Sequence, residues 1–388
     1  MIYYLAHYTD NNHPNEYSFN AASCSKIEYI AKILLEKDNV TIFSCMIPAK
    51  GKRLKKDLTK VIYEKNGHKL TVKYLRCSHS VFKPLFVIQR FLFLKKIQNK
   101  IAQNLSKDQR SSVIIYHSLG LLKIENFFSS QFNQQTVIEV EDVYSYTFEQ
   151  EINNVNRIKK KEIDALKKFS RAITITNFVA KDFGYENYVV SNGILEPSFN
   201  PDEIKKDKKI RMIYSGIIED NYNAADCAVT IMNYMPNNYE LYLCGFGKDN
   251  AVNKLTEKIN NINRSKGYGC IHFLGMIKGR ELETLYKKCD IGLSIERKEA
   301  PIERQKYSFH SKIFRYLTNG LAVVAGNYSS ENNSDIKELI NFVNIDDDYE
   351  DIAERIVSLE INKRSIYNKL ILMSNEIEEQ LKKLVFNE

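Results

Sequence analysis

The stretch CIHFLGMIKGRELETLYKKCDIGLSIE, residues 270–296, carries the pattern that decides the fold. It begins with an apolar segment typical of a buried strand (270–275), continues with the helix-like segment GRELETLYKKC, and ends with a second apolar segment (290–296). A strand, a helix and a strand in this order favour two parallel strands in one sheet. The alternation extends outward, with strands predicted at 210–216, 239–247 and 321–326 and a helix at 311–320.

The first half of the chain shows the same alternation. Strands are predicted at 2–8, 40–47, 111–118, 135–143, 171–177 and 187–194, and helices at 20–37 and 148–170. The polar stretch 196–209, with two prolines and a run of charges, indicates a linker. The sequence therefore predicts an N-terminal domain (1–195), a C-terminal domain (210–365) and a C-terminal helix (366–388). We expect two Rossmann-like domains that face each other across a cleft, because ligands of such sheets bind beyond the carboxyl ends of the strands.

The composition of the 388 residues is that of a globular protein, with 44% apolar and 27% charged residues. This balance excludes wholesale disorder, which requires low hydrophobicity. None of the seven cysteines forms a CxxC pair or a zinc-ligand spacing, so we expect reduced thiols in a cytoplasmic protein. The N-terminus lacks the features of a secretory signal, and no apolar run approaches the about 20 residues of a membrane-spanning helix.

Positive charge is concentrated between Lys50 and Lys100. This window holds 15 Lys and Arg residues against Asp57 and Glu64, a net charge of +13 in a chain whose total is +8. Within it, segment 81–103 interleaves aromatic and aliphatic residues with lysines, as interfacial helices do where they meet anionic lipid. The alternative is a core-packed helix with a solvated basic rim. Nucleic-acid binding is a third interpretation, but no RNA-binding or DNA-binding motif accompanies the patch, and we expect no nucleic acid partner.

Four blocks of the second half resemble, in order and spacing, the nucleotide-sugar-binding domain of GT-B glycosyltransferases of the family 4 type. They are IYSGII (213–218), YELYLCGFG (239–247), IHFLGMIKGRELETLYKKCDIGLS (271–294) and HSKIFRYLTNGLAVVAG (310–326). In the first half, VVSNGI (189–194) and VIIYHS (113–118) are similar to strand ends of the same family. The resemblance implies the α/β GT-B fold, with a C-terminal helix that returns to the N-terminal domain, and a transferase activity without a bound metal.

Carried over by position, the resemblance implies a set of donor-binding residues. They are Gly216, Gly245, Met276, Ile277, Glu296, Tyr307, Ser311, Lys312 and Arg315. The physical argument is strongest at the helix that starts near Ser311, because free N–H groups and the first-turn charge of Lys312 favour a diphosphate. A solvated first-turn lysine is the alternative for Lys312.

The chain also departs from the common family pattern. The family has two glutamates eight positions apart across this helix start, and the matching residues here are Tyr307 and Arg315. A guanidinium group accepts no hydrogen bonds, so either the ribose contact changes or Arg315 serves the phosphates. The usual basic pair after YSG is also missing. The chain therefore looks like a divergent branch with an SKxxxYL pattern, in which Glu296 is one candidate to replace a lost glutamate.

The candidate catalytic residues of the first half follow two predicted strands. His117 ends the strand 111–118 and is expected either to act as a base at the cleft or to be a satisfied core histidine. Glu141 and Asp142 end the next strand, and because neighbouring side chains alternate between faces, only one enters the cleft directly. Asp142 is the choice for base or acceptor contact. Asn20 lies where the family binds the acceptor, although a helix cap is the plainer interpretation.

The sequence thus predicts a bacterial glycosyltransferase that moves a sugar from a nucleotide diphosphate sugar, a UDP-sugar in the first instance, to a saccharide or lipid-linked acceptor in cell-surface polysaccharide synthesis, such as capsule or lipopolysaccharide. It is expected at the cytoplasmic face of an anionic membrane surface. Two alternatives remain: a catalytically lapsed GT-B binding or scaffold module, and a sugar-nucleotide epimerase of the same fold.

Overall fold

The structure is a computed structural model, which describes residues 1–10, 21–48, 50–147, 154–202, 208–219, 224–296, 306–327 and 334–387. The chain divides into two compact units. The first comprises Met1–Asn192 together with Glu376–Glu388, and the second comprises Gly193–Asn375.

The first unit is built on an eight-stranded sheet. Its elements in chain order are β1 (Ile2–Ala6), α1 (Ala21–Leu34), β2 (Val40–Ser44), β3 (Arg53–Leu54), β4 (Leu58–Lys65), β5 (His68–Tyr74), β6 (Cys77–Ser78), α2 (Lys83–Lys107), β7 (Ser112–Tyr116), α3 (Leu122–Gln131), β8 (Thr136–Val140), α4 (Tyr144–Thr147), α5 (Val155–Leu166), β9 (Arg171–Thr174), α6 (Asn177–Phe183) and β10 (Asn187–Val190). The strand order is β10-β9-β8-β7-β1-β2-β5-β4, and all neighbours are parallel except β4 and β5. Every residue of β1, β2, β7 and β8 is buried, which is the pattern of parallel strands covered on both faces.

A hairpin inside the basic window was not predicted from the sequence. The strands β4 and β5 pair in antiparallel fashion across Asn66 and Gly67, which both have positive φ, at 53° and 79°. Asn-Gly is the strongest short signal for a two-residue hairpin turn. The lysines that surround it conceal the alternation, because most side chains of β4 face solvent.

The second unit is built on a six-stranded parallel sheet. Its elements are β11 (Ile210–Ile218), α7 (Ala224–Ile231), β12 (Tyr239–Gly247), α8 (Asp249–Lys266), β13 (Ile271–Phe273), α9 (Gly279–Lys288), β14 (Ile291–Ser294), α10 (Ser311–Thr318), β15 (Ala322–Gly326), β16 (Ile340–Val343), α11 (Tyr349–Val357) and α12 (Lys363–Phe386). The strand order β13-β12-β11-β14-β15-β16 is the order 3-2-1-4-5-6 of a Rossmann sheet. Successive strands are therefore added to one side of β11 first and then, from β14 onward, to its other side. The point between β11 and β14 where this order reverses is where the topology places a ligand crevice.

The first strand of this sheet runs further than predicted and corrects the expectation for Gly216. The strand β11 continues to Ile218, so Gly216 lies within the sheet, in register with Gly245 of β12, and not in a loop. A Cβ atom at Gly245 would lie 2.1 Å from the carbonyl oxygen of Gly216. Both glycines thus allow close strand packing at this end of the sheet.

The C-terminal helix α12 ends against the first unit, as expected. The hydroxyl of Ser112 donates to the carbonyl of Val385 at 2.9 Å, and Arg171 Nη1 donates to the carbonyl of Leu384 at 3.0 Å. Lys382 Nζ forms an ion pair with Glu36 at 2.5 Å. These contacts join the last turns of α12 to the amino ends of β7 and β9 and to the segment after α1.

All seven cysteines are free, and six of them are buried. Among the helices of the described residues, none combines the length and the apolar character needed to cross a membrane.

We predict that Gly292→Ala destabilises the second unit. A Cβ atom at Gly292, in β14, would lie 2.2 Å from the ring of Tyr316, which is fully buried in α10. Forcing a methyl group into such a packed site costs about 1–3 kcal/mol. The measurement is the free energy of unfolding in denaturant. The matched control is Gly269→Ala, where an added Cβ meets nothing within 4 Å. Equal stability of the two variants would contradict this packing.

Candidate functional site

A polar cluster lies at the carboxyl edge of the second sheet. Glu296 follows β14, and His310 and Lys312 stand at the start of α10. The carboxylate of Glu296 lies 3.2 Å from His310 Nε2 and 4.0 Å from Lys312 Nζ. Lys312 Nζ also lies 4.7 Å from the centre of the Tyr214 ring on β11. The structure therefore brings together two predicted donor-site residues, Glu296 and Lys312, and adds two that were not predicted.

The charge of Glu296 is set by its neighbours and not by its burial. Burial raises the pKa of Glu296, but the hydrogen bond from His310 and the charges of His310 and Lys312 outweigh it and hold that pKa below its usual value. Glu296 is therefore an ionised carboxylate at neutral pH. Burial raises the pKa of Tyr214, which keeps its phenol protonated, and the phenol donates to the carbonyl of Ile217 at 2.8 Å.

The start of α10 offers backbone donors beside this cluster. His310 is the N-cap residue, its backbone is extended, and its side chain makes no capping hydrogen bond. The first-turn N–H groups of a helix have no partner within the helix, and the helix dipole adds positive potential there. Together with the ammonium group of Lys312, this helix start favours an anionic group.

The end of β11 is held firmly beneath the cluster. The N–H group of Ser215 donates to the Tyr316 hydroxyl at 3.0 Å, and the hydroxyl groups of Ser215 and Tyr286 lie 2.7 Å apart. Tyr316 belongs to α10 and Tyr286 to α9, so these contacts fix both helices against the strand. The geometry of the helix start is thereby tied to the sheet.

Three other predicted donor residues lie around the start of α10. Arg315 pairs with Glu283 of α9 at 2.7 Å, so its guanidinium group is engaged away from Glu296. Tyr307 is buried, with 7% of its surface exposed, and Ser311 is exposed at the first position of the helix. Of the two residues that stand in place of the family glutamates, one is therefore packed inside and the other is held by a neighbouring helix.

Apolar side chains are exposed at the ends of three neighbouring strands. Ile217, Phe246, Leu274 and Met276 are 54%, 56%, 42% and 56% exposed, and Ile277 beside them is half-buried. Met276 and Ile277 were predicted from the resemblance, whereas the other three were not. Exposed apolar groups at the carboxyl edge of a Rossmann sheet suit the flat face of a nucleobase.

In the first unit, the structure places His117 as a satisfied buried histidine, which is the second of its two interpretations, and not as a base at a cleft. His117 is 1% exposed, its Nδ1 lies 3.1 Å from both carboxylate oxygens of Glu125, and its Nε2 lies 2.9 Å from Glu162. Burial lowers the pKa of His117, but the two carboxylates raise it to about 10. Both nitrogens therefore carry protons and donate, and neither is left to accept a proton from a substrate.

A second buried cluster lies beyond β8. Glu141 forms an ion pair with Lys26 of α1, and Lys26 also donates to the carbonyl of Ser191. Tyr4 of β1 donates to Glu139, which is fully buried. Burial holds the pKa of both carboxyl groups above their usual value, and for Glu139 the neighbouring charge of Glu141 acts in the same direction. The predicted residue Glu141 is thus bound to a lysine at this edge.

The remaining predictions for the first unit have different outcomes. Asp142 is half-buried immediately after Glu141. Asn20 lies outside the described residues. Of the unpredicted residues, Glu139 carried a signal, since a glutamate inside an apolar strand requires a buried partner. Nothing comparable in the sequence indicated that Glu162 contacts His117, because the two residues lie 45 positions apart along the chain.

In the described part of the chain, no group of three or more His, Cys, Asp and Glu side chains is arranged to hold a metal ion.

Comparison with known proteins identifies the fold. No protein-family model matches the chain, and no curated protein matches its sequence. Solved structures do match over the full length. The trehalose-6-phosphate synthase OtsA has a TM-score of 0.66 and 11% sequence identity, over 100% of this chain and 98% of that chain.

Two further matches have ligands in their titles. The Escherichia coli structure described as trehalose-6-phosphate bound with UDP-2-fluoro glucose has a TM-score of 0.61 and 11% identity, over 100% of this chain and 98% of that chain. The UDP-forming trehalose-phosphate synthase of Burkholderia xenovorans in complex with glucose-6-phosphate has a TM-score of 0.59 and 9% identity, with the same two coverages of 100% and 98%. At such identities the likeness shows the fold: the chain has the GT-B fold of glycosyltransferases.

We predict that His117→Gln removes a pH dependence of stability. The folded pKa of about 10 lies above the reference value of 6.5, so this histidine stabilises the fold fully below pH 6.5 and loses that effect as the pH rises towards 10. The stability of the variant should not fall in this way between pH 6.5 and pH 10. At neutral pH the variant should be less stable than the wild type by about 3–5 kcal/mol, because two buried carboxylates lose their partner.

The measurement is denaturant unfolding of both proteins from pH 6 to pH 10. His68→Gln, on β5, serves as the control because it removes a half-buried histidine with no carboxylate partner among its described contacts. Parallel stability curves for the wild type and His117→Gln would contradict the ion-pair assignment.

Proposed function

We propose that the protein is a glycosyltransferase that moves a sugar from a nucleotide diphosphate sugar, with UDP as the nucleotide, to a saccharide or lipid-linked acceptor. The observation that carries the proposal is the cluster of Glu296, His310 and Lys312 at the start of α10. It lies at the edge of a Rossmann sheet where this topology binds ligands.

The chemistry of the donor fits this edge. A departing nucleoside diphosphate accumulates negative charge, and the ammonium group of Lys312 and the N–H groups of α10 stabilise that charge. The ionised Glu296 holds His310 and Lys312 in place and accepts hydrogen bonds from sugar hydroxyls. The exposed apolar side chains near Met276 supply the surface for the base. The positive charge of the site comes from the protein, so the proposed reaction requires no bound metal.

The solved neighbours support the choice of donor and acceptor class. Their titles name UDP-forming synthases, one holds UDP-2-fluoro glucose and another holds glucose-6-phosphate. These ligands favour UDP as the nucleotide and a saccharide as the acceptor. Because Tyr307 and Arg315 replace the two glutamates of the common pattern, the proposal does not specify which sugar the donor carries.

The first sheet supplies the acceptor side of the proposal. Lys26 holds Glu141, and two carboxylates hold His117, so neither is offered to a substrate. Asp142 follows Glu141 and is half-buried at the carboxyl edge of the sheet. From this position at the sheet edge, we propose that Asp142 contacts the acceptor hydroxyl.

Lys312→Ala should weaken binding of UDP at least tenfold, because it removes the full charge next to the diphosphate. A tenfold change corresponds to about 1.4 kcal/mol. The measurement is a thermal-shift titration, in which UDP at 100 times its Kd adds about 2.7 kcal/mol of stability to the wild type. The control Lys287→Ala removes an exposed lysine at the opposite end of α9 from the cluster.

Unchanged UDP affinity in Lys312→Ala would show that the phosphate site lies elsewhere. Absence of a shift with UDP, GDP, CDP, ADP and dTDP alike would favour a lapsed binding module. Nucleotide binding with turnover in the absence of any acceptor would favour an epimerase.

We further propose that the protein binds an anionic membrane surface through α2 and acts at the cytoplasmic face of a bacterial membrane, in the synthesis of a cell-surface polysaccharide. The helix has two parts. Its last turns pack into the core through Phe93, Ile97, Ile101 and Leu105. The turns before them and the residues that precede the helix expose Val81, Phe82, Leu85, Val87, Ile88, Phe91 and Leu92, each by 45% or more.

Charge complementarity supports anionic lipid as the partner of this exposed face. The face lies in the window of net charge +13. Lys96 and Lys100 both pair with Asp57, at 3.0 and 3.2 Å, so part of the predicted lysine charge is compensated. Lys96 and Lys100 are therefore engaged within the protein, whereas apolar side chains between Phe82 and Leu92 are exposed. Substitutions in the apolar face test membrane binding more directly than substitutions of these two lysines.

Ile88→Glu with Leu92→Glu should abolish sedimentation of the protein with vesicles of phosphatidylglycerol, because two carboxylates would enter the headgroup boundary. The control is Leu372→Glu, an equally exposed leucine on α12, at 63% compared with 60% for Leu92. The double variant should keep the thermal shift with UDP. Vesicle binding equal to that of the control would refute the assignment of this face.

A further inference from the structure

A small cavity lies between the exposed part of α2 and the loop that follows β7. Its volume is about 290 Å³. Its apolar walls are formed by Phe91, Leu94, Leu119, Leu122 and Ile124. Leu119 and Gly120 directly follow the end of β7, so the cavity adjoins the carboxyl edge of the first sheet, where such sheets bind ligands.

The rim of the cavity is cationic. Lys95, Lys123 and Lys161 line it, from α2, α3 and α5, and no acidic residue is among its described lining residues. Two of these lysines are held in place by aromatic rings: Lys95 Nζ lies 5.3 Å from the Phe127 ring centre, and Lys123 Nζ lies 5.4 Å from that of Phe91. An ammonium group over a ring retains N–H groups for a further acceptor.

One lining side chain has a buried donor atom without a hydrogen-bond partner. Gln98 is 5% exposed, and its Nε2 atom has no partner within the described structure. An amide donor withdrawn from water without an acceptor is costly, and buried polar groups are normally paired. A ligand oxygen within the cavity would satisfy this donor.

We propose that this cavity binds the lipid of a lipid-linked acceptor, a molecule with an apolar chain and a phosphate group. The chain lies against the apolar walls, the phosphate meets Lys95, Lys123 and Lys161, and an oxygen next to the chain accepts from Gln98. The proposal rests on the proposed glycosyltransferase function and specifies its acceptor class.

The observations favour a phosphorylated lipid over other anions. A free phosphate would leave the apolar walls unused. The cavity is also continuous with the exposed face of α2, because Phe91 is 53% exposed and lines the cavity as well. A lipid chain that leaves the membrane surface at α2 therefore enters the cavity without crossing water.

The test is calorimetric titration of the full-length protein with dodecyl phosphate below its critical micelle concentration. The wild type should bind it saturably, whereas Lys123→Ala with Lys161→Ala should bind it at least tenfold more weakly. The control Lys160→Ala with Lys167→Ala removes the same charge from α5 and its end without touching the cavity, and should bind like the wild type. Inorganic phosphate and dodecanol, the two halves of the probe, should each bind at least tenfold more weakly than dodecyl phosphate.

A second variant separates a binding role from a structural one. Gln98→Leu keeps the volume of the side chain and removes the unpaired donor, so stability without ligand should be equal or higher while affinity for dodecyl phosphate falls several-fold. Lower stability with unchanged affinity would overturn the role of Gln98 as a ligand contact.

Other outcomes overturn the proposal as a whole. Equal affinity in both lysine double variants, or affinity for inorganic phosphate equal to that for dodecyl phosphate, would show that the cavity is not a lipid phosphate site. The UDP thermal shift is measured in the same samples. Retention of that shift with no binding of dodecyl phosphate refutes this inference alone, whereas loss of UDP binding by the wild type refutes the proposed function.

Discussion

A protonated histidine between two buried carboxylates organises the first unit. His117 directly follows β7, Glu125 belongs to α3 and Glu162 to α5, so one imidazolium joins the end of a strand to two helices. Glu162 also accepts the N–H groups of Tyr144 and Ser145 at 2.7 and 2.8 Å, which adds α4 to the same centre. Three buried ionisable groups are stable only as a set, because removal of one leaves the others uncompensated. The charged groups at this edge of the sheet therefore stabilise the fold and are not available to bind or react with a substrate.

The two units differ in whether their clustered charges are compensated within the protein or remain able to attract a ligand. In the first, the carboxylates of Glu125, Glu141 and Glu162 are all bound to cationic side chains. In the second, among the described residues, the carboxylate of Glu296 faces both His310 and Lys312, beside a helix start. A cluster with more cations than carboxylates attracts an anion, whereas a cluster in which the carboxylates equal or outnumber the cations does not. The electrostatic arrangement thus favours a phosphate-bearing ligand at the second sheet independently of any resemblance.

The sequence predicted the elements that depend on local patterns and missed those that depend on distant partners. Buried parallel strands appear as continuous apolar runs, which is why most strands of both sheets were placed correctly to within a few residues, although β16 was not predicted. The β4–β5 hairpin was missed because the lysines of a solvated edge strand obscure the period of two, although Asn66 and Gly67 marked its turn. The strand end at Gly216 was placed too early because β11 remains paired up to Ile218. The burial of His117 depends on its contact with Glu162. A local sequence pattern does not indicate a partner that lies 45 residues further along the chain.

The helix α2 shows how one segment satisfies two interpretations that the sequence left open. A core-packed helix and an interfacial helix are both amphipathic, so composition alone does not separate them. In the structure the interpretations apply to successive turns: Phe93, Ile97 and Ile101 face the core, while Ile88 and Leu92 face solvent. Burial of the later turns fixes the orientation of the earlier ones, since a continuous helix transmits its direction along its axis. The exposed apolar face is therefore held rigidly by the core, and a rigid apolar face costs less conformational entropy to dock than a flexible one.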